Sequence, residues 1–226
     1  MPDYNFIEYL EQFVTDKRKA LFKKVLNDRT RHFTVAIEDI YQPHNASAVV
    51  RSCEIFGIQD VHIIENKYKF YASNQVAKGA QKWLDFKLYK KKDINNTLEC
   101  INNLRKKGYK IIATTPHNDS CVLQEYDISK KSAFFFGVEK EGLSKDVMEN
   151  ADGFLKIPMV GFTESLNISV AAAIILQSMH EKLKASDVKW KLSELEKSEL
   201  YLEWLEKSIK SIKKIKEYYY SKIIQQ

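Results

Sequence analysis

Apolar residues recur along this chain with two different periods. Over residues 4–29 they fall at Phe6, Tyr9, Leu10 and Phe13, then at Leu21, Phe22, Val25 and Leu26. Steps of three and four predict one or two amphipathic helices. From Phe33 the pattern shortens. Residues 33–37, 61–64, 86–89, 109–114, 134–137 and 154–157 read as strands. Helical patterns stand between them at 46–56, at 94–107 and from about Ser144. Asn45 reads as the N-cap of the first helix and Gly57 as its C′ residue; Gly108 closes the second. The stretch EDIYQPHN, 38–45, reads as a loop. Strands alternating with helices predict an α/β domain with a largely parallel sheet.

Two polar turns interrupt the stretch 134–176. The first carries Glu139, Gly142 and Ser144; the second, SLNIS at 165–169, opens an alanine-rich helix. From about residue 183 the chain is helical and charged. Leu195, Leu202, Leu205, Ile209, Ile212, Ile215 and Tyr219 form its apolar stripe, with Lys207, Lys210, Lys213, Lys214 and Lys216 off it.

The charge balance adds a partner class. Lys and Arg number 36 against 30 Asp and Glu, a net charge of +6, which favours an anionic partner, nucleic acid first. The basic residues of the second N-terminal helix and of the C-terminal tail read either as solvated faces or as RNA contacts. Three cysteines without C-x-x-C spacing read as reduced thiols in a cytoplasmic protein. No apolar run approaches the ~18 residues of a membrane span, and the acidic N-terminus is unlike a secretory signal.

Several chemistries drop out. No two of the seven glycines form a G-x-G, so a dinucleotide site or a Rossmann-type methyltransferase is not expected. Gly137, Gly142 and Ser144 have P-loop spacing, but Leu143 stands where the phosphate-binding Lys is required, and Glu139 and Glu141 would repel a triphosphate. The five histidines show no metal-ligand spacing, and there is no G-x-S-x-G elbow.

Three motifs remain. In PHNASAVVRSCEIFG, 43–57, the residues Ala46, Val49, Val50, Cys53 and Phe56 make a buried face that Arg51 flanks. Arg51 reads either as a surface arginine, paired with Glu54, or as a phosphate clamp. In FGVEKEGLS, Glu139 lies just beyond a strand end, as a cap, a loop ion pair or a ligand contact. In IPMVGFTESLNISVAAAIIL, the residues Ser165, Asn167 and Ser169 stand at a helix N-terminus, for capping or for ligand binding.

The order and spacing of these motifs, N-x5-R-S, G-x-E-x-x-G-L-S and I-P-M-x6-L-N-x-S-V-A, resemble those of the SpoU (TrmH-like) RNA 2′-O-methyltransferases. The likeness covers about 33–179. QPHNASAVVRSCEIFG, the GAQKW string at 79–83 and the helical extensions are most similar to the branch acting on guanosine-18 of the tRNA D-loop. The resemblance implies a SPOUT-type α/β domain over 32–182, with a deep trefoil knot at about 134–176. Helical extensions would occupy 1–31 and 183–226. It also implies a homodimer, S-adenosylmethionine as cofactor, tRNA as partner, and no metal or membrane. Cofactor contacts carry over to Thr114, Gly137, Ile157 and Leu166. The catalytic set carries over to Asn45, Arg51, Glu139, Ser165 and Asn167, with His44 as a further RNA contact.

In that family Arg51 matches the residue proposed to activate the ribose hydroxyl. A guanidinium is a poor proton acceptor, so its expected part is to hold the adjacent phosphate and stabilise the developing alkoxide. Asn45 and Asn167 would then hold Arg51 and the ribose, and Glu139 the local backbone or Arg51. Val138 and Glu164 are this chain's departures from the pattern. A ribosomal-RNA methyltransferase of the same superfamily and a non-catalytic RNA-binding protein are the alternatives.

Overall fold

The computed structural model describes residues 2–71, 77–116, 120–138 and 141–224. The chain forms two compact units, Thr30–Trp190 and a second assembled from both termini, Met1–Arg29 with Lys191–Gln226. Among the described residues the α-helices are, in chain order, α1 (Tyr4–Glu11), α2 (Asp16–Leu26), α3 (Pro43–Ile55), α4 (Asn96–Lys106), α5 (Lys145–Asn150), α6 (Ile168–Lys184), α7 (Glu194–Ser208) and α8 (Ile212–Ile224).

The larger unit is built on β1 (Phe33–Glu38), β2 (Asp60–Ile64), β3 (Asp85–Tyr89), β4 (Lys110–Thr114), β5 (Cys121–Val122), β6 (Ser132–Phe136) and β7 (Gly153–Lys156). They form one sheet, ordered β3-β2-β1-β6-β4-β7-β5, and each pairing is parallel. β5, with two residues, was too short to leave a pattern in the sequence. Helices cover both faces, so the central strands are buried on both sides and lack polar alternation. Phe33, Val35, Ile37, Phe134 and Phe136 pack on one face with Val49 and Val50 of α3 and Ile175 and Met179 of α6. Ala36, Ala133 and Phe135 point to the other, against Ile101 and Leu104 of α4 and Val147 of α5. Each fully buried phenylalanine contributes about 1.5–3 kcal/mol.

Two helix boundaries depart from the sequence reading. α3 starts at Pro43, with Gln42 and not Asn45 at the N-cap. Proline suits the first helical position, because its φ is pre-set and its missing N–H would be unpaired there anyway. Part of the expected loop is therefore helix, Asn45 lies inside the first turn, and Arg51 moves to the third turn. Gly57 does occupy the left-handed position after the helix, at φ +78°.

In the smaller unit the C-terminal pattern splits into two helices, α7 and α8, and the buried face of α7 is shifted from the expected stripe. Leu200, Tyr201, Trp204 and Leu205 are buried, while Leu195 is exposed. The aromatic rings set the phase, since they bury more area than the leucines beside them. Trp204 meets Phe22 edge-on at 5.6 Å, and Tyr201 donates to Glu11 at 2.6 Å. α7 ends where the Ser208 hydroxyl donates back to the Trp204 carbonyl at 2.7 Å, a local bond that competes with helix continuation. Among the described residues no helix is long and apolar enough to cross a membrane, and no cluster of His, Cys, Asp and Glu could hold a metal.

Candidate active site

Parallel sheets bind ligands beyond the C-terminal ends of their strands. Here that edge gathers Thr114 at the end of β4, Gly137 just after β6, and the chain that follows β7. The Thr114 hydroxyl donates to the Phe135 carbonyl at 2.7 Å, which ties β4 to β6 and leaves its lone pairs to accept from a ligand.

Gly137 is required by a close approach. A Cβ there would lie 2.2 Å from the Gly142 carbonyl oxygen and 2.7 Å from the Leu143 nitrogen. The returning chain is held by two backbone bonds, Val138 N–H to Gly142 O at 3.0 Å and Gly142 N–H to Val138 O at 2.8 Å. Gly142 itself is left-handed, at φ +71°.

Thr114, Gly137, Ile157, Ser165 and Leu166 line one cavity of about 320 Å³. Phe136, Leu155 and Ile168 supply apolar wall, and Glu141 and Glu164 supply negative charge. Lys156 lines it too and Lys67 pairs with Glu141, so the walls carry both signs of charge and suit a flat, partly apolar ligand. Asn167 caps α6, its Oδ1 accepting from the Ser169 N–H at 2.9 Å and the Ser169 hydroxyl at 2.6 Å. Its Nδ2 donates to Asn45 Oδ1 at 3.2 Å, and Asn45 in turn donates to Gln42 Oε1 at 2.7 Å. Two asparagines from distant motifs are thus joined.

Arg51 and His44 are placed elsewhere. Both are exposed on α3, and neither lines a cavity described for this unit. Arg51 has no hydrogen-bond or ion-pair partner among the described residues. Six residues of helix set it about 9 Å along the axis from Asn45, so the asparagines hold each other and not the arginine. Glu139 lies outside the described residues.

Two acids that sequence reasoning left in a loop organise this edge. Buried Glu38, at the end of β1, accepts from the Ser144 N–H at 2.9 Å, the Ser144 hydroxyl at 2.8 Å and the Thr97 hydroxyl at 2.6 Å. Asp39, left-handed at φ +49°, follows it. The available signal was a pair of carboxylates directly after an apolar strand. Lys67 and Glu141 pair at 3.3 Å at the rim, which raises the Lys67 pKa, but both are well exposed and the pair adds little stability.

The sequence model of the SpoU rRNA Methylase family matches residues 32–177. The chain belongs to the SpoU family. A tRNA (guanosine(18)-2'-O)-methyltransferase from Borreliella burgdorferi is 42% identical to it over 205 residues, which are 91% of this chain and 92% of that protein. A protein of the same name from Thermus thermophilus is 34% identical over 172 residues, covering 76% and 86%. The crystal structure of the A. aeolicus TrmH/SpoU tRNA modifying enzyme has a TM-score of 0.75 to this SpoU chain at 26% identity, covering 86% of this chain and 98% of that one.

Proposed function

We propose that this SpoU protein transfers a methyl group from S-adenosylmethionine to the ribose 2′-hydroxyl of guanosine-18 in the tRNA D-loop. The observation that carries the reading is the convergence of Thr114, Gly137, Ile157 and Leu166 on a single cavity whose lining residues Leu166 and Ile168 flank Asn167, the hydrogen-bond partner of Asn45. The relatives' names supply the substrate.

The cavity suits this cofactor. Phe136, Leu155, Ile157 and Leu166 offer apolar surface for an adenine, Thr114 an acceptor, Glu164 a carboxylate for the ammonium and Lys156 a cation for the carboxylate of the cofactor's amino-acid end. When bound, S-adenosylmethionine supplies an electrophilic methyl group. The work of the chain is then alignment, which contributes much of the rate of an in-line displacement. Asn45 and Asn167 hold the ribose. Arg51, exposed on α3 outside the cavity and always charged, clamps a phosphate of the bound RNA next to the ribose.

The reading includes a deep trefoil knot over about 134–176. The lack of clearance between Gly137 and Gly142 and the small residues Ala171, Ala172 and Ala173 suit threading at close quarters. It also includes a cytoplasmic homodimer. Val160 and Phe162 are fully exposed, and Val170 and Ile174 are exposed one turn apart on α6, apolar side chains that a second copy would cover.

The test is tritiated methyl transfer to unmodified tRNA and to rRNA, followed by nucleotide mapping, with a thermal shift by S-adenosylhomocysteine alongside. Label on the ribose of guanosine-18 and a positive shift are expected. Label only in rRNA, or in a base, overturns the substrate; no label and no shift overturn the enzyme.

A further inference from the structure

Beside the cofactor cavity lies a second one of about 270 Å³. Tyr41, Gln42, Asn45 and Tyr68 line it, and it shares Gly137, Val138, Glu141 and Ile168 with the first. The amide oxygens of Gln42 and Asn45 already take hydrogen bonds from Asn45 and Asn167, and the Glu141 carboxylate pairs with Lys67 at the rim. The rest of its surface is mainly apolar, with Ile40, Val138 and Ile168 beside the two tyrosines. The rings of Tyr41 and Tyr68 meet edge to face, with centroids 5.2 Å apart, although Tyr41 is 68% and Tyr68 37% exposed.

This arrangement is built at some cost. Tyr68 belongs to a loop pinned by Asp39, whose Oδ1 accepts the N–H groups of Asn66, Lys67 and Tyr68 at 2.7, 2.8 and 3.2 Å. Asp39 makes these bonds from a left-handed backbone, which disfavours a residue with a Cβ. A strained, buried carboxylate that fixes an exposed tyrosine over a cavity suggests a surface prepared for a flat ligand.

We propose that the second cavity seats the base of the methyl-accepting nucleotide against Tyr41 and Tyr68, face-on to one ring and edge-on to the other, with Asp39 as the positioning residue for Tyr68. The inference rests on the ribose methyltransferase reading. With the base in one cavity and the cofactor in the other, the ribose falls at the wall they share, Gly137, Val138, Glu141 and Ile168, next to Asn45 of the second cavity. Aromatic stacking accepts any splayed-out base, so the pair supplies affinity and position and leaves sequence choice to other contacts.

The test compares the full-length protein with Tyr41→Ala, Tyr68→Ala, the two Phe variants, Asp39→Ala and Asp39→Asn. Steady-state methyl transfer to an unmodified tRNA transcript is measured, with S-adenosylhomocysteine affinity by calorimetry. Each Tyr→Ala change is expected to lower kcat/KM about ten- to a hundred-fold, chiefly through KM, and to leave S-adenosylhomocysteine affinity within about two-fold. The Phe variants stay within about three-fold of wild type. Asp39→Ala should mimic Tyr68→Ala and add nothing to it in the double variant, while Asp39→Asn, which keeps the accepting oxygen, restores KM. Alanine variants with wild-type kcat/KM, or with equal losses of tRNA and S-adenosylhomocysteine binding, overturn the proposal alone. A wild-type protein inert toward RNA overturns the methyltransferase reading and this inference with it.

Discussion

Replacing Gly137 by alanine adds one methyl group, and the structure gives it nowhere to go. The new Cβ would stand 2.2 Å from the Gly142 oxygen and 2.5 Å from the Gly142 carbonyl carbon, both backbone atoms that no rotamer change can move aside. An ordinary carbon–oxygen contact is about 3.3 Å or longer, so the chain at 142–143 must retreat by about 1 Å. Two responses compete. If the chain holds, overpacking costs about 1–3 kcal/mol. If it retreats, the two Val138–Gly142 bonds are lost at about 1 kcal/mol each. Retreat is the easier path, because Glu141 and Gly142 are exposed and water can take up the freed groups.

The expected loss of stability is therefore about 2 kcal/mol, or about 4–8 °C in Tm for a chain of this length. The larger effect is on the ligand. Gly137, Gly142 and Leu143 all line the cofactor cavity, so the same retreat displaces its wall. The Kd for S-adenosylhomocysteine, read by calorimetry, should rise at least about ten-fold, equivalent to about 1.4 kcal/mol. Gly153→Ala is the matched control, since its Cβ meets only Ile112 Cδ1 at 3.5 Å, an ordinary contact. It should leave affinity unchanged. A Gly137→Ala protein that binds S-adenosylhomocysteine like wild type would refute the argument that this close approach shapes the site.

Three further outcomes follow from the same contacts. Glu38→Ala strands the Ser144 N–H and two hydroxyls, and should cost about 3 kcal/mol, a Tm loss of about 6–12 °C by scanning fluorimetry. Asn167→Ala removes a helix cap worth about 1 kcal/mol, yet it should cut methyl transfer far more than that loss of stability explains, because the Asn45 partner goes with it. Burial, then the charges of Lys107 and Lys87, push the His62 pKa down to about 3 from its ordinary 6.5. The unfolded chain therefore binds this proton between those values while the folded chain does not. Stability is full above about pH 6.5 and falls as pH drops toward 3, by about 2 kcal/mol between 6.5 and 5. His62→Gln should flatten that part of the pH profile of chemical unfolding.

Most of the α/β order was legible because long apolar strands and capped helices are local patterns. Phe134, Phe135 and Phe136 announce a strand buried on both faces, and Gly57 and Gly108 announce helix ends. The errors have local causes too. Asn45 is a good cap in isolation, but Pro43 two residues earlier is a better start, and only one of the two can set the boundary. The stripe on α7 was phased on leucines, while Tyr201 and Trp204 decide which face is buried. The site was legible only as motifs. Nothing local says that residues 45 and 167 share a hydrogen bond, or that Tyr41 and Tyr68 share a cavity, since both depend on which strand lies beside which.

One dipeptide shows how that long-range order is made. Glu38 and Asp39 are neighbours, yet their carboxylates hold different backbone segments directly, with Thr97 linking Glu38 to the Asn66 side chain. Glu38 binds Ser144, at the N-cap of α5 and directly after the turn that walls the cofactor cavity. Asp39, turned by its positive φ, binds the 66–68 backbone that carries Tyr68 to the second cavity. The end of β1 is therefore where the two cavities are set relative to each other. Their defects should separate accordingly: Glu38→Ala should weaken S-adenosylhomocysteine binding with little change in KM for tRNA, and Asp39→Ala should do the reverse. If both variants lost both properties in parallel, the dipeptide would be acting through general destabilisation, and the division of labour argued here would fail.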